Sequence, residues 1–494
     1  MGKLTMSLLP IVVIFLLQCA SGLTAVETDA ADADYMHRLA AATGAELLLG
    51  WKANSDPCND NWIGVSCDTY NSRNKIFQID VRGLLAGGTL PEFDQQIGSL
   101  SQLERLDLGF NNLTGPVPAF ILDRLRRLLL DGNVFSQLPH EFFRGMPQLQ
   151  YFSIDDNPML EEWGLGSDVL SLSKLTVCNA SNANINGTLQ VLLSNSSAFL
   201  GLAQVSFANN RLTGVVPETF ITQTITKLDL RNNRLAGSIN FINNFQLSII
   251  ELRLDYNHFS GPFPTDLSGF NVLSVITVAH NRLTGVVPPS LAQLSYLSWV
   301  SVSDNLLQGP LPELPSSVKT DFDVAAIRGI FCRLDGHGPC SEETGVLLSI
   351  AAAFHYPEIL AMSWRRNDPC DGWLGIHCGG AGQRRVTGVN LSRFGLNGTI
   401  DQAFASLLSL EVIILSGNNI SGTIPPSVAQ MPSLRVLDVS NNALEGTVLR
   451  IRDDALIWVE GNNHLNVTIS GTSLLEGTTP FLVFVAVIVS VFGW

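Results

Sequence analysis

The sequence predicts an α/β repeat solenoid wound as a superhelix, in two arrays with disulfide-capped ends. Three observations carry this expectation: an apolar pattern that returns every 23 or 24 residues, an asparagine at a fixed place in each copy, and a Trp- and Cys-bearing segment that occurs twice. Aligning LERLDLGFNNLTGPVP, ITKLDLRNNRLAGSIN, IIELRLDYNHFSGPFP, LSVITVAHNRLTGVVP and LEVIILSGNNISGTIP gives the template L-x-x-L-x-L-x-x-N-x-L-x-G-x-x-P. Side chains alternate along a strand, so template leucines such as Leu108, Leu230 and Leu254 should face inward, with the intervening residues on the opposite, concave surface. Stacked copies are expected to build one parallel sheet. The asparagine recurs at Asn111, Asn133, Asn157, Asn210, Asn233, Asn257, Asn281, Asn305, Asn418 and Asn442. A carboxamide both donates and accepts, so a stacked column of them can satisfy the backbone where each coil turns away from its strand.

This period is that of a leucine-rich repeat. The G-x-x-P ending, as in Gly115 with Pro118, Gly214 with Pro217, Gly285 with Pro288 and Gly422 with Pro425, resembles the plant-specific subtype. About ten repeats are expected from Ile76 to Pro312, in an array over 76–315, and about three from Val386 to Val448, in a block over 386–466. Some copies are degenerate: Ala183 and Phe394 replace the Asn, and Asn240, Asp401 and Leu449 stand where Pro is expected. A solenoid exposes apolar ends unless they are capped. The segment AELLLGWKANSDPCNDNWIGVSC, within 26–75, supplies a cap with Trp51 and Trp62, and its W…DPC…W-x-G-x-x-C pattern returns at Trp364, Cys370, Trp373 and Cys378. A second cap in mid-chain implies a second array, beyond an island over 316–385.

Cysteine spacing indicates an oxidising compartment: Cys58 with Cys67, Cys332 with Cys340, and Cys370 with Cys378 form close pairs. Zinc would call for tighter hooks and accompanying histidines. Cys178 stays unpaired on an inward strand position, as a small core hydrophobe. Lys3, the apolar run Leu8–Leu17 and the small residues that follow read as a secretory signal over 1–25, cleaved after Gly22 or Ala25. Eight N-x-S/T sequons begin at Asn112, Asn179, Asn186, Asn195, Asn390, Asn397, Asn419 and Asn466, so a glycoprotein is expected. After a linker at 467–479, the apolar run Pro480–Trp494 ends without basic residues. As a helix it would be roughly 22 Å long against a hydrocarbon core of roughly 30 Å. A glycosylphosphatidylinositol (GPI) signal with attachment at Ser470 fits better, a short transmembrane helix is the competing reading, and a free or truncated product is the third. The expected location is the outer face of the cell membrane, by way of the secretory pathway.

Charged residues make up 15% of the chain, hydrophobic ones 46%, and the formal charge is -15, so the composition suits a packed fold and argues against a nucleic-acid partner. The usual catalytic motifs are missing from the sequence, no metal or cofactor is expected, and His258 and His280 are best explained by coil register. Binding is the expected activity, because a concave sheet presents one variable row per strand position. Outward positions give Arg82, Arg105, Arg127, Asp155, Arg231, Arg253, Asp255 and Trp299 as candidate contacts. Paired, solvated charges are the bland account of this face. Trp299 beside Ser301 and Ser303 is the most pointed of them, as an aromatic hot spot.

The layout of capped long array, cysteine-bearing island with a second cap, and three-repeat block resembles the ectodomain of the plant transmembrane kinase (TMK) receptors, from about Asp34 to Asn466. The resemblance implies a receptor-like or co-receptor protein that binds an extracellular protein, peptide or small molecule, with receptor kinases or secreted auxin-binding proteins as partners. It departs from that family in that no kinase signature follows before Trp494. Alternatives are a cell-wall protein similar to the polygalacturonase inhibitors and a kinase-less decoy remnant.

Overall fold

The computed structural model describes residues 26–92, 99–193, 198–218, 224–322, 331–332, 339–380, 384–448 and 455–467. The signal at 1–25, Asn195, Ser470 and the apolar run at 480–494 lie outside the described residues. Among those described, no helix is long and apolar enough to cross a membrane.

One cap opens the chain. Its helix, Ala30–Thr43, starts at Asp29, whose side chain accepts from the Ala31 N–H, and ends at Gly44 in the left-handed region. Trp51 and Trp62 stack 5.1 Å apart beneath it, and Cys58 bonds to Cys67. Asp32, fully buried in the first helical turn, accepts from the N–H groups of Ile76 and Leu100 and thereby ties the cap to the first coil. Strands Val65–Tyr70 and Arg73–Asp80 form an antiparallel hairpin, and from the second of these the sheet grows in parallel, one strand per coil, as far as Lys319–Asp321. That last strand pairs with Trp299–Ser301, so the sheet continues past 315 into the stretch expected to be island.

The expected single sheet is too simple. Short lateral strands, such as Leu113–Pro116, Arg211–Val215 and Arg282–Val286, pair with one another along the side of the coils and form separate parallel sheets. Each begins just after a ladder asparagine, and the glycine of the repeat lies within or at the end of the strand with positive φ, as at Gly214 and Gly285. Two residues after these glycines the chain is apolar and buried, as at Val216, Ile239, Phe263 and Val287, which turns this side of the coil back onto the core.

Between the sheets the core is one continuous apolar stack, with Leu106, Leu128, Phe152, Val205, Leu228, Leu252, Ile276 and Val300 all buried at the same strand position. Cys178 occupies that position in its own coil and is 1% exposed. The Asn column runs beside this stack. Asn257 is representative: its Nδ2 donates to the carbonyls of Leu254 and Leu230 at 3.1 and 2.9 Å, and its Oδ1 accepts from the Leu235 N–H at 3.0 Å. At the degenerate coil, Asn184 donates to the Leu160 carbonyl and the Trp163 indole donates to that of Ala183, which covers for the missing rung.

The second unit repeats the design. The helix Glu342–Ala353 is capped by Ser341, Trp364 stacks on Trp373 at 5.4 Å, and Cys370 bonds to Cys378. Glu343 accepts from the Val386 N–H, the role Asp32 plays in the first cap. Parallel strands follow at Arg385–Asn390, Val412–Ile414, Val436–Asp438 and Leu456–Trp458. The last strand and its rung Asn462, which donates to the carbonyls of Val439 and Val459, add a coil that the sequence template did not include. The two units are in contact: Arg282 pairs with Glu358, the Gln308 amide donates to the Trp364 carbonyl, and Tyr356 lies over Gly285. The third disulfide, Cys332–Cys340, closes the segment that leads from one unit to the other.

Each rung satisfies buried backbone groups that have no water to turn to, so Asn257→Ala should lower unfolding stability by roughly 1 to 3 kcal/mol. Asn271→Ala, at an exposed site, should stay within about 0.5 kcal/mol. Denaturant titration of both variants checks this, and equal effects would remove the ladder from its assigned role.

Candidate functional site

Outward residues of successive strands form columns on the concave face, because parallel pairing sets Gln78, Arg105, Arg127, Tyr151, Lys227, Glu251, Trp299 and Lys319 at one strand position. The sequence-predicted residues fall in these columns, but in two separate groups with different chemistry.

In the first group the arginines are engaged. Arg82 lies 3.6 Å from Asp107 and 3.3 Å from Asp131 and covers the Phe110 ring; Arg105 lies 3.0 Å from Asp80 and 3.3 Å from Asp107. Arg127 is exposed and stands over the Tyr151 ring at 4.6 Å. Asp131 accepts from the Ser153 hydroxyl and from the Asp155 N–H, while Asp155 in turn accepts from the Ser181 N–H. Burial pushes the Asp155 carboxyl up to about 6, against the help of the Ser181 N–H and reinforced by the neighbouring charges of Asp131 and Asp156. These aspartates brace adjacent coils.

The second group combines ion pairs with an aromatic ring. Arg231 is held by Asp229 in a two-pronged contact at 2.9 and 2.8 Å, and Lys227 and Arg253 both approach Glu251 at 3.6 Å. Asp255 is not an exposed contact: it is 8% exposed and accepts from the Thr277 hydroxyl and the Ala279 N–H, so its carboxylate is spent on the next coil. Trp299 is half-buried, with the Arg253 guanidinium 4.9 Å and the Lys319 ammonium 5.0 Å from its ring centroid. Its indole N–H is buried and has no acceptor among the described residues. Ser301 and Ser303 both donate to Asp321, beside Lys319 on the terminal strand. One exposed lysine, one arginine and one unsatisfied N–H thus converge on a single ring. Further along, His280 stacks on Tyr256 at 4.0 Å and contacts Asp304 at 2.9 Å, whereas His258 is exposed on a lateral strand. No grouping of three or more His, Cys, Asp or Glu residues among those described could hold a metal ion.

Sequence reasoning missed Lys319. Trp299 pairs with Lys319 after only 20 residues, and a template of 23 or 24 passes over it. The available signal was Val318 and Thr320 flanking Lys319 in a V-x-T alternation. Of the sequon asparagines, Asn112, Asn397 and Asn419 are exposed and Asn179, Asn186 and Asn390 half-buried, while Asn195 and the side chain of Asn466 lie outside the described residues. No sequon begins between 196 and 389, so the coils around Trp299 carry no attachment site.

The chain is similar in sequence to known proteins. A family model for the leucine-rich-repeat N-terminal domain matches residues 30–68 and again 340–379, and leucine-rich-repeat models match 102–123 and 384–444. Receptor-like kinase TMK2 of Arabidopsis thaliana is 36% identical over 367 residues, which is 72% of this chain and 39% of that protein. Receptor-like kinase TMK4 of the same plant is 31% identical over 372 residues, covering 75% and 38%. Receptor protein kinase WSS1 of Oryza sativa is 37% identical over 423 residues, covering 80% and 42%. The chain therefore spans about two fifths of the length of these relatives.

The raised Asp155 carboxyl has a consequence for stability. Its folded value of about 6 lies above the ordinary 3.8, so the stability it contributes is complete below about pH 4 and is lost as pH rises through 6. Between pH 7 and pH 4.5 the wild type should gain on the order of 2 kcal/mol relative to Asp155→Asn. Paired denaturant curves at the two pH values measure the difference, and an unchanged gap would show that the carboxyl titrates normally.

Proposed function

Starting from a chain that is a leucine-rich-repeat protein related over about three quarters of its length to plant receptor-like kinases, we propose that it works as the ligand-binding ectodomain of a cell-surface receptor-like or co-receptor protein. The observation that carries this reading is the Arg253–Trp299–Lys319 arrangement on the concave face. Two cations stand over one half-buried ring, so positive charge and aromatic surface are offered together. The ligand group favoured here is an oxygen acceptor with negative charge, such as a carboxylate of an extracellular peptide or small molecule. The aromatic ring supplies rigid contact area at small entropic cost, as binding hot spots do. The protein acts by binding and not by catalysis.

Partners that follow from the family resemblance are a receptor kinase ectodomain and a secreted auxin-binding protein. The apolar run at 480–494 and the small residues Ser470, Gly471 and Thr472 support a GPI anchor on the outer face of the membrane. With such an anchor the signal would pass inward through a membrane-spanning partner. Release of the surface protein from intact cells by a phosphatidylinositol-specific phospholipase is the expected result, and recovery of a peptide spanning Phe481 to Val491 from the mature protein would establish a transmembrane helix instead.

Affinity purification from plant cells, followed by titration of the recovered partner against variants, tests the site. Trp299→Ala and Arg253→Ala should each weaken binding by about tenfold or more, the loss of one good contact, while Arg127→Ala should have little effect. A scan in which only residues outside the concave face mattered would place recognition elsewhere.

A further inference from the structure

On the convex side, away from Trp299, the coil that begins at Asn240 is unlike its neighbours. The 3-10 helix Asn240–Phe245 buries Phe241, Ile242 and Phe245 and turns Asn240 and Asn243 to solvent. Asn240 stands where the repeat places proline. Together with Asn244 and Gln246, these residues form one wall of an open groove of about 640 Å³, whose other wall is the Pro262–Asp266 segment of the next coil. Glu218 and Asp266 are the two carboxylates that line it. Of the four carboxamides, only Asn244 has a side-chain hydrogen bond among the described residues, a donation to the Glu218 carbonyl.

From this geometry we propose that the groove binds a neutral oligosaccharide. Every sugar hydroxyl both donates and accepts, and so does every carboxamide, so a wall of amides, most of them without a side-chain partner among the described residues, matches a row of hydroxyls without regard to charge. The Asp266 carboxyl is held below its ordinary range by the Ser268 N–H and hydroxyl, so it stays ionised and, with Glu218, repels acidic sugars. The half-buried Pro262 offers apolar surface for the C–H face of a sugar ring. A peptide is the less suitable occupant, since extended peptides are read through pockets for alternate side chains, and this groove is shallow and polar. The volume lies within the range of small-ligand sites, roughly 300 to 1,000 Å³. No sequon begins between 196 and 389, so none of the groove residues is an attachment site.

The chemistry is shared by a neutral wall glucan and by the mannose-rich glycan of another glycoprotein, and the experiment separates them. The full secreted chain is titrated with cellohexaose, with mannopentaose and with hexagalacturonate, followed by saturation-transfer NMR. One neutral oligosaccharide should bind saturably, with Kd on the order of 1 mM as suits a shallow polar site, and hexagalacturonate should not. Binding by cellohexaose alone assigns a glucan, and by mannopentaose alone a glycoprotein glycan. The double variant Asn243→Ala with Gln246→Ala, both outside the core, should weaken it by about tenfold or more, while Trp299→Ala leaves it unchanged. The absence of saturable binding by either neutral sugar, equal binding of hexagalacturonate, or binding that survives the double variant would overturn the proposal. Loss of sugar binding in Trp299→Ala would likewise overturn it, by moving the sugar to the concave face.

Discussion

The structure depends first on one repeated hydrogen-bonded unit, the inward asparagine. Strands three residues long cannot hold a sheet by their own ladder bonds, and the coil must leave the strand through a turn whose carbonyls and amides point into the core. A carboxamide at that point donates to its own coil and to the coil before it, and accepts from the lateral strand of the coil before it, as Asn281 does with Val278, Leu254 and Phe259. Every rung therefore locks the spacing of two coils at once. The concave columns, the lateral strands and the continuous apolar stack all inherit their register from it. Because contacts run only between neighbours, the ends need separate treatment, and the chain uses the same solution twice, an acidic residue in the first helical turn reaching strand amides over a stacked tryptophan pair.

That register also explains why most charges on the concave face are not available. Aspartates at the outward position after the L-x-L strand stand directly opposite backbone amides of the next coil, so Asp131, Asp155 and Asp255 become acceptors for their neighbours. Arginines beside them are then neutralised in place. Surface pairs of this kind contribute little stability, but they do fix which side chains remain for a ligand. Arg253, Trp299 and Lys319 differ in that the two cations meet over one ring, although Arg253 also approaches Glu251.

Much of this was legible in the sequence, for physical reasons that also set the limits. The 23- to 24-residue period, the Asn column, the duplicated cap and the three cysteine pairs are all encoded in residue identity at fixed spacing. Two features were hidden because they break the spacing. The final strand of each unit arrives after a step of 20 residues, Trp299 to Lys319 and Val436 to Leu456, and carries few leucines. Others were hidden because they are tertiary. Nothing local to Asp255 distinguishes a brace from a ligand contact, and the packing of Tyr356 and Glu358 on the lateral strands of the first unit joins residues more than 70 positions apart. The lateral sheets were missed because the L-x-G stretch reads as a turn until its pairing with the next coil is seen.

On the proposed reading, recognition belongs to the concave strands around Trp299. Amide hydrogen exchange of the secreted chain, with and without its captured partner, measures this most directly. Added protection is expected in the strands Glu251–Arg253, Val275–Thr277, Trp299–Ser301 and Lys319–Asp321, with the second unit unchanged. Protection confined to the second unit, or to convex segments, would contradict it.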